Sequence, residues 1–227
     1  MAWFGLRGGE APSAGEAPSA GQAAAARERG GGPEPGSPRE SLRPVRSVEG
    51  AAPGAKVLLE SALGRRGGEL LDLGAASPRS FEVYRRFAGR IRFGDIFSDW
   101  GSAGWGEALA AVLGDSGAEM DHILAWDALD RLSPEGGRHL MDALSAVARP
   151  GARLHLVVRG SPEAAPGALH FELTGVDRMA YELREGGAGG RVGPPLLPAE
   201  LHALLLPFQV ERAFTLRGNL REYVAVR

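Results

Sequence analysis

The residues with the clearest chemical meaning lie between Glu69 and Pro78, where the chain reads Glu-Leu-Leu-Asp-Leu-Gly-Ala-Ala-Ser-Pro. A short apolar strand ends there in Asp-x-Gly and turns abruptly into the start of a helix. At the carboxyl edge of a parallel sheet, such a turn brings backbone N–H groups and a helix N-terminus towards one point. The sequence therefore predicts a site for a nucleotide-type ligand around Asp72 and Gly74.

Composition excludes several other classes of site. The chain has 227 residues, 44% of them hydrophobic, a net charge of −2 and no cysteine. Without a basic stripe, nucleic-acid binding is not expected. Without cysteine there are no disulfides, thiolate metal sites or cysteine nucleophiles, and the scattered histidines predict no metal site. No apolar run approaches the ~20 residues of a membrane span. The short N-terminal apolar run has no signal-peptide core, so a cytoplasmic location is expected.

The common nucleotide and hydrolase motifs are missing as well. No G-x-G-x-x-G follows the first strand, and no G-x-x-x-x-G-K-[ST] occurs, which argues against a dinucleotide dehydrogenase and a P-loop protein. No G-x-S-x-G is present, so an α/β-hydrolase would lack its nucleophile turn.

Residues 1–55 differ from the rest of the chain. They contain seven of the 16 prolines and a tandem repeat of Gly-Glu-Ala-Pro-Ser-Ala at 9–14 and 15–20. Such a segment buries too little apolar surface to offset its ordering entropy, so a disordered tail is predicted at 1–55 and one folded domain at 56–227. The apolar start Trp3-Phe4-x-Leu6 could bind a protein partner or a membrane surface, or be an idle terminus.

Strands and helices alternate after the tail, which predicts a parallel sheet with right-handed crossovers. A final pair of strands joined by Arg217-Gly218-Asn219 predicts a hairpin, and hence one antiparallel strand. Strands are predicted at 70–73, 91–97, 123–126, 154–158, 210–216 and 220–226, with possible edge structure at 171–173 and 180–183, and helices start near 57, 78, 107, 134 and 198.

Three segments, taken in this order, resemble motifs of the class I S-adenosylmethionine-dependent methyltransferases. Leu70–Gly74 resembles the first motif, Met120–Leu129 the fourth-strand motif, and Ala148–Leu154 the entry to the fifth strand. The resemblance covers roughly residues 56–227. It implies an α/β, Rossmann-like methyltransferase fold, with a mostly parallel sheet, a C-terminal antiparallel hairpin strand and helices on both faces. It also implies S-adenosylmethionine as the cofactor.

The resemblance places Asp72, Gly74, Ala75 and Ala76 against the methionine part of that cofactor. The family loop reads Asp-x-Gly-x-Gly-x-Gly, whereas Ala76 and Pro78 stand here at the second and third glycines. A methyl group at residue 76 crowds the backbone approach, and the proline lacks an N–H. The alternative for Asp72 is that it caps a turn.

Two more cofactor contacts follow from the resemblance. Asp95, after the second strand, would accept hydrogen bonds from the ribose hydroxyls, and Trp126 would flank the site together with Asp127. The alternatives are an ordinary loop acid for Asp95 and a core position for Trp126. No catalytic residue is nominated, because Asp127 and His139 also fit structural roles.

Two functions stay open. In the first, the chain binds S-adenosylmethionine and methylates an unidentified acceptor, expected to be a small molecule. In the second, it is a non-catalytic pseudo-methyltransferase that serves as a binding or scaffold module, recruited through its N-terminal tail. The motifs and Asp95 favour the first function, and the missing glycines favour the second.

Overall fold

The structure is a computed structural model that describes residues 47–63, 67–97, 104–114, 119–164, 168–184 and 193–227. The elements alternate between strands and helices over most of this length. In chain order they are β1 (Ser47–Ala51), α1 (Pro53–Glu60), β2 (Glu69–Asp72), α2 (Pro78–Tyr84), β3 (Arg90–Phe93), α3 (Gly104–Leu113), β4 (Met120–Leu124), α4 (Ala128–Arg131), α5 (Pro134–Val147), β5 (Ala148–Arg159), β6 (Ala168–Gly175), β7 (Arg178–Arg184), α6 (Pro198–Leu205), β8 (Gln209–Leu216) and β9 (Leu220–Val226).

The main sheet has the strand order β3-β2-β4-β5-β9-β8. Strand β2 pairs in parallel with β3 and β4, and β4 pairs in parallel with β5. Strand β9 runs antiparallel between β5 and β8, which closes the predicted hairpin. The predicted fold class, a mostly parallel sheet with a C-terminal antiparallel strand, is confirmed.

Successive strand residues point to opposite faces of this sheet, and each face is covered by helices. Leu70 and Leu124 belong to a core cluster that includes residues of α1 and α2. Leu71 and Ile123 belong to a second cluster with residues of α3, α5 and α6. The leucines of β2, β4 and β5 are fully buried, as the apolar pattern of these strands predicts.

Two Ser-Pro pairs start helices in the predicted way. The Ser77 hydroxyl accepts a hydrogen bond from the Ser80 N–H at 3.3 Å, and the Ser133 hydroxyl accepts one from Gly136 at 3.1 Å. The proline that follows each serine occupies a helix position whose N–H would have no partner. Helix α2 begins close to the carboxyl edge of the sheet because it follows β2 closely, whereas α4 lies between β4 and α5.

A second, antiparallel sheet has the order β1-β7-β6. The segments predicted as edge structure at 171–173 and 180–183 lie in this sheet and not in the main one. Strand β1 and the start of α1 fall within residues 47–55, which the composition had assigned to the tail. The folded domain therefore begins no later than Ser47, because β1 pairs with β7 along its whole length. Residues 1–46 lie outside the described part of the chain.

Strand β3 is shorter than predicted and ends at Phe93. Gly94 then donates its N–H to the Asp72 carbonyl at 2.8 Å, and Ile96 donates to the Gly94 carbonyl at 2.8 Å. These bonds turn the chain away from the sheet. Asp95 consequently lies in a turn just beyond the carboxyl end of the strand.

A closed cleft at the carboxyl edge of the sheet

Three of the predicted site residues meet at one edge of the main sheet. Asp72 is the last residue of β2 and pairs in register with Phe93 of β3 and Leu124 of β4. Asp95 and Trp126 each follow two residues after the end of those neighbouring strands. The parallel register therefore places the three side chains at the same carboxyl edge, as the sequence predicted.

The carboxylate of Asp72 is buried and bound by three donors of the chain itself. Its Oδ1 accepts hydrogen bonds from the Gly74 N–H at 2.8 Å and from Trp126 Nε1 at 2.6 Å. Its Oδ2 accepts one from the Tyr84 hydroxyl at 2.7 Å. Burial raises the pKa of the Asp72 carboxyl above its usual range, although these three hydrogen bonds act in the opposite direction.

Tyr84 stays a hydrogen-bond donor to this carboxylate. Burial and the neighbouring charge of Asp72 raise the pKa of the Tyr84 hydroxyl well above its usual range. Its ring lies 6.0 Å from that of Phe93, so the end of α2 is packed against β3. The helix after the Asp-x-Gly turn is thus bonded to the acid of that turn through Tyr84 at its C-terminal end.

The Trp126 indole occupies the space next to Gly74. Trp126 has a positive φ of 47°, a conformation that is uncommon for a bulky residue. A Cβ atom at Gly74 would lie 3.0 Å from the indole nitrogen and 3.1 Å from Asp72 Oδ1. A side chain at residue 74 would therefore require the indole or the carboxylate to shift, which favours glycine at this position.

Phe171 of β6 closes the cleft from the other side. Its ring is stacked on the Trp126 indole, with centroids 5.1 Å apart and an interplanar angle of 6°. Both side chains are 4% exposed. The stack joins the smaller sheet to the carboxyl edge of the main sheet and excludes water from Asp72.

Strand β6 also covers the N-terminus of α2. The Ser77 hydroxyl donates to the carboxylate of Glu172, and the Ser80 hydroxyl accepts the Leu173 N–H at 3.0 Å. Arg79 forms an ion pair with Glu172 at 3.4 Å. The N-terminus of α2, which the sequence predicts to be part of a ligand site, is therefore hydrogen-bonded to β6 of the same chain.

The other residues that were predicted to contact the cofactor differ in their exposure to solvent. Ala75 is half-buried, whereas Ala76, at the position of the missing glycine, is exposed to solvent. Asp95 is half-buried, and its Oδ1 accepts a hydrogen bond from the Phe97 N–H at 3.3 Å. Among the predicted contacts, Asp72 accepts hydrogen bonds from both Gly74 and Trp126.

A buried acid–base pair lies behind the indole. His155 meets the Trp126 ring edge-on at 5.2 Å, and its Nε2 lies 2.7 Å from Glu222 Oε1. Glu222 also accepts the N–H groups of Gly54 and Ala55, at 2.7 and 2.9 Å. Burial alone would raise the pKa of Glu222, but His155 and these two donors hold it below its usual range.

Four residues that surround Asp72 and Trp126 were not predicted from the sequence: Tyr84, Phe171, His155 and Glu222. The one available signal was a polar residue inside an otherwise apolar strand, which describes His155 in β5 and Glu222 in β9. Nothing in local periodicity indicates that Phe171 would stack on Trp126, because the two residues meet only through the packing of two sheets.

Asp127 and His139 both contact residues that hold the fold together. The Asp127 carboxylate lies 3.0 Å from Arg131 Nε and accepts the Leu169 N–H at 3.2 Å, so it fixes the start of β6. His139 is exposed on α5 and lies edge-on to Trp105 at 5.4 Å. In the described part of the chain, neither side chain forms a hydrogen bond or an ion pair with Asp72 or Trp126.

Metal sites and membrane-spanning helices are both absent from the described residues. No group of three or more histidine, aspartate or glutamate side chains there could hold a metal ion. The helices of the same residues include none with the length and apolar character needed to cross a membrane.

Comparisons with known proteins find similar solved structures. No family model matches the chain, and no curated protein sequence matches it. The chain is similar to an S-adenosylmethionine-dependent methyltransferase from Mesorhizobium loti, at 13% identity and a TM-score of 0.47 over 77% of this chain and 96% of that one. It is similar to the glycopeptide N-methyltransferase MtfA in complex with S-adenosyl-L-methionine, at 17% identity and a TM-score of 0.42, covering 77% and 94%.

A third similar structure is the pyocyanin biosynthetic protein PhzM, at 18% identity and a TM-score of 0.41 over 77% of this chain. The chain spans 55% of that protein's length. Because their TM-scores are below 0.5, these similarities do not assign a function to the cleft.

Whether the cleft can hold S-adenosylmethionine depends on Trp126, Asp72 and Ser77, which are engaged within the chain in this arrangement. The space beside Gly74 is taken by the Trp126 indole, and both oxygens of Asp72 already accept hydrogen bonds. The hydroxyl of Ser77, at the start of α2, is bonded to Glu172. The groups that the motif would offer to a cofactor are thus bound within the chain.

Proposed function

We propose that this chain is a non-catalytic, methyltransferase-like protein that serves as a binding or scaffold module. The observation that carries the proposal is the position of Trp126. Its indole lies against Gly74, binds the Asp72 carboxylate and stacks on Phe171. A side chain of the protein therefore stands where the fold would offer a cleft to a cofactor.

Opening this cleft would cost free energy. Exposing a buried aromatic ring loses about 1.5–3 kcal/mol of apolar burial, and both Trp126 and Phe171 are affected. Releasing the indole from Asp72 removes a hydrogen bond to a carboxylate, worth about 1.5–3 kcal/mol. Even the lower end of the combined cost, about 4.5 kcal/mol, lowers the apparent affinity of any ligand of the open state roughly 2000-fold.

A second candidate is a methyltransferase that binds S-adenosylmethionine and acts on a small-molecule acceptor. The position of Asp95 at the same sheet edge as Asp72 and Gly74 favours it. In this candidate the cofactor supplies an electrophilic methyl group, and the chain aligns the acceptor and excludes water. Strand β6 would have to move away from α2 first, because it covers Trp126 and Ser77.

Calorimetric titration of the full chain with millimolar S-adenosylmethionine, and separately with S-adenosylhomocysteine, distinguishes the two candidates. We expect no binding heat and no change in the melting temperature, both in the wild type and in Ala76→Gly. Binding at a hundredfold excess over Kd would stabilise the fold by ~2.7 kcal/mol. That corresponds to roughly 5–11 °C for a chain of this size, and such a shift would favour the methyltransferase.

A further inference from the structure

A cavity of about 460 Å³ lies on the other side of the sheet edge from the closed cleft. Its walls come from α4, the start of α5, and the segment that leads into α6. They are mainly apolar and include Leu129, Leu132, Pro195, Leu196 and Leu204. Volumes of this size and apolar walls are typical of small-molecule sites.

The walls of the cavity are fixed to the rest of the fold. Buried Arg159, at the end of β5, donates from Nη2 to the Gly193 carbonyl at 2.6 Å. A Cβ atom at Gly137 would lie 3.2 Å from Leu204 Cδ2, so this glycine allows α6 to approach α5 closely. The cavity is therefore preformed between anchored elements, with little ordering needed to receive a ligand.

One cation at this cavity, Arg138, has two acids about one turn away on α5, Glu135 and Asp142, but no ion pair in the described part of the chain. Arg138 lines the cavity, is exposed, and forms no ion pair with the residues that the structure describes. The two acids of the lining are engaged elsewhere. Asp130 accepts the Arg159 N–H at 2.8 Å, and Glu200 accepts the Leu197 N–H at 2.9 Å. Arg138 lies one turn from the N-terminus of α5, whose dipole adds positive potential there.

We propose that this cavity binds a small apolar molecule that carries a carboxylate. The apolar tail would lie against the leucines and prolines of the walls, and the carboxylate would bind the Arg138 guanidinium, which matches its two-oxygen geometry. Leu129 and Leu204 belong to the core cluster opposite the one that contains Trp126. The site therefore lies on the opposite face of the main sheet from the Trp126 indole.

The test is calorimetric titration of the full chain with decanoate and, in parallel, with decylamine. We expect decanoate to bind one site, and decylamine to bind at least tenfold more weakly because Arg138 repels it. Arg138→Met keeps an apolar stem of similar reach but removes the charge, so it should weaken decanoate binding about tenfold or more. Ala203→Trp fills the cavity from α6 and should abolish binding of decanoate.

Arg212→Met is the matched control, since Arg212 is an exposed arginine of β8 that does not line the cavity. It should bind decanoate as the wild type does. The proposal is overturned if decanoate gives no binding heat at millimolar concentration. It is also overturned if decylamine binds equally well, if both methionine variants lose affinity to the same extent, or if Ala203→Trp still binds.

Discussion

Trp126 Nε1 donates to Asp72 Oδ1 at 2.6 Å, and this bond links the ends of two neighbouring parallel strands. The acid of an Asp-x-Gly turn thus binds an indole of its own chain. Stacking of Phe171 on that indole then brings the second sheet over the turn. The closed state of the cleft is built from these two contacts, and each can be tested separately.

Trp126→Phe should destabilise the fold by about 1–3 kcal/mol, because Asp72 stays buried and loses one donor. Urea unfolding measures the change in free energy. Trp105→Phe is the matched control, since Trp105 is only half-buried and packs against the core cluster that does not contain Trp126. An equal loss in both variants would contradict a specific role for the indole–carboxylate bond.

Phe171→Ala should cost about 3–5 kcal/mol and expose the Trp126 indole, because the ring removed is the one stacked on it. Acrylamide quenching of tryptophan fluorescence should increase in this variant. Phe81→Ala serves as the control, since Phe81 is 46% exposed on α2. If quenching is the same in both variants, Phe171 does not cover the indole.

Leu124→Ala should cost roughly 2–5 kcal/mol, because Leu124 is fully buried at the end of β4 between β2 and β5. Leu63→Ala removes the same side chain at a position that is 66% exposed and should change stability by less than ~0.5 kcal/mol. Thermal and urea unfolding give both values. A change below ~1 kcal/mol in Leu124→Ala would be inconsistent with the strand order.

The buried pair of His155 and Glu222 should make stability depend on pH. Because the folded pKa of Glu222 lies below its unfolded value near 4.5, the stabilisation is present above pH 4.5 and is lost as pH falls through the folded pKa. Glu222→Gln should therefore cost about 3–5 kcal/mol at pH 7 and less at lower pH. Urea unfolding between pH 3 and 7 measures this difference, which should not stay constant.

Two truncations locate the start of the folded domain. Deleting residues 1–46 should leave the melt of the remainder unchanged, as their composition suggests. Deleting residues 1–55 should lower the melting temperature, because it removes β1 and the N–H groups of Gly54 and Ala55 that bind Glu222. Equal melting temperatures for the two truncations would show that β1 and the hydrogen bonds from Gly54 and Ala55 to Glu222 are dispensable.

The sequence predicted those parts of the fold that depend on local patterns. Alternating apolar runs predicted β2, β4, β5 and the C-terminal hairpin, and two Ser-Pro pairs predicted the starts of α2 and α5. Strand β1 was missed because Ser47–Ala51 has the composition of the preceding tail and is ordered by pairing with β7. Pairing between distant strands leaves no local signal in so short a segment.

The candidate site was predictable only in part. The register of parallel strands brings Asp72, Asp95 and Trp126 to one edge, and the motif spacing was enough to predict that. The stack of Trp126 on Phe171 was not predictable, because it depends on where a separate sheet packs. The sequence thus predicts the sheet edge at which these residues lie, but it does not predict that Trp126 and Phe171 occupy the cleft there.

Gly74 has a consequence for how short motifs are interpreted. Its lack of a side chain is favoured by an indole and a carboxylate of the same protein, each about 3 Å from where a Cβ would lie. The steric demand that a bound nucleotide would place on this position is met here by an internal residue. An Asp-x-Gly turn can therefore be maintained by packing alone, and its presence in a sequence is no measure of whether a cofactor binds.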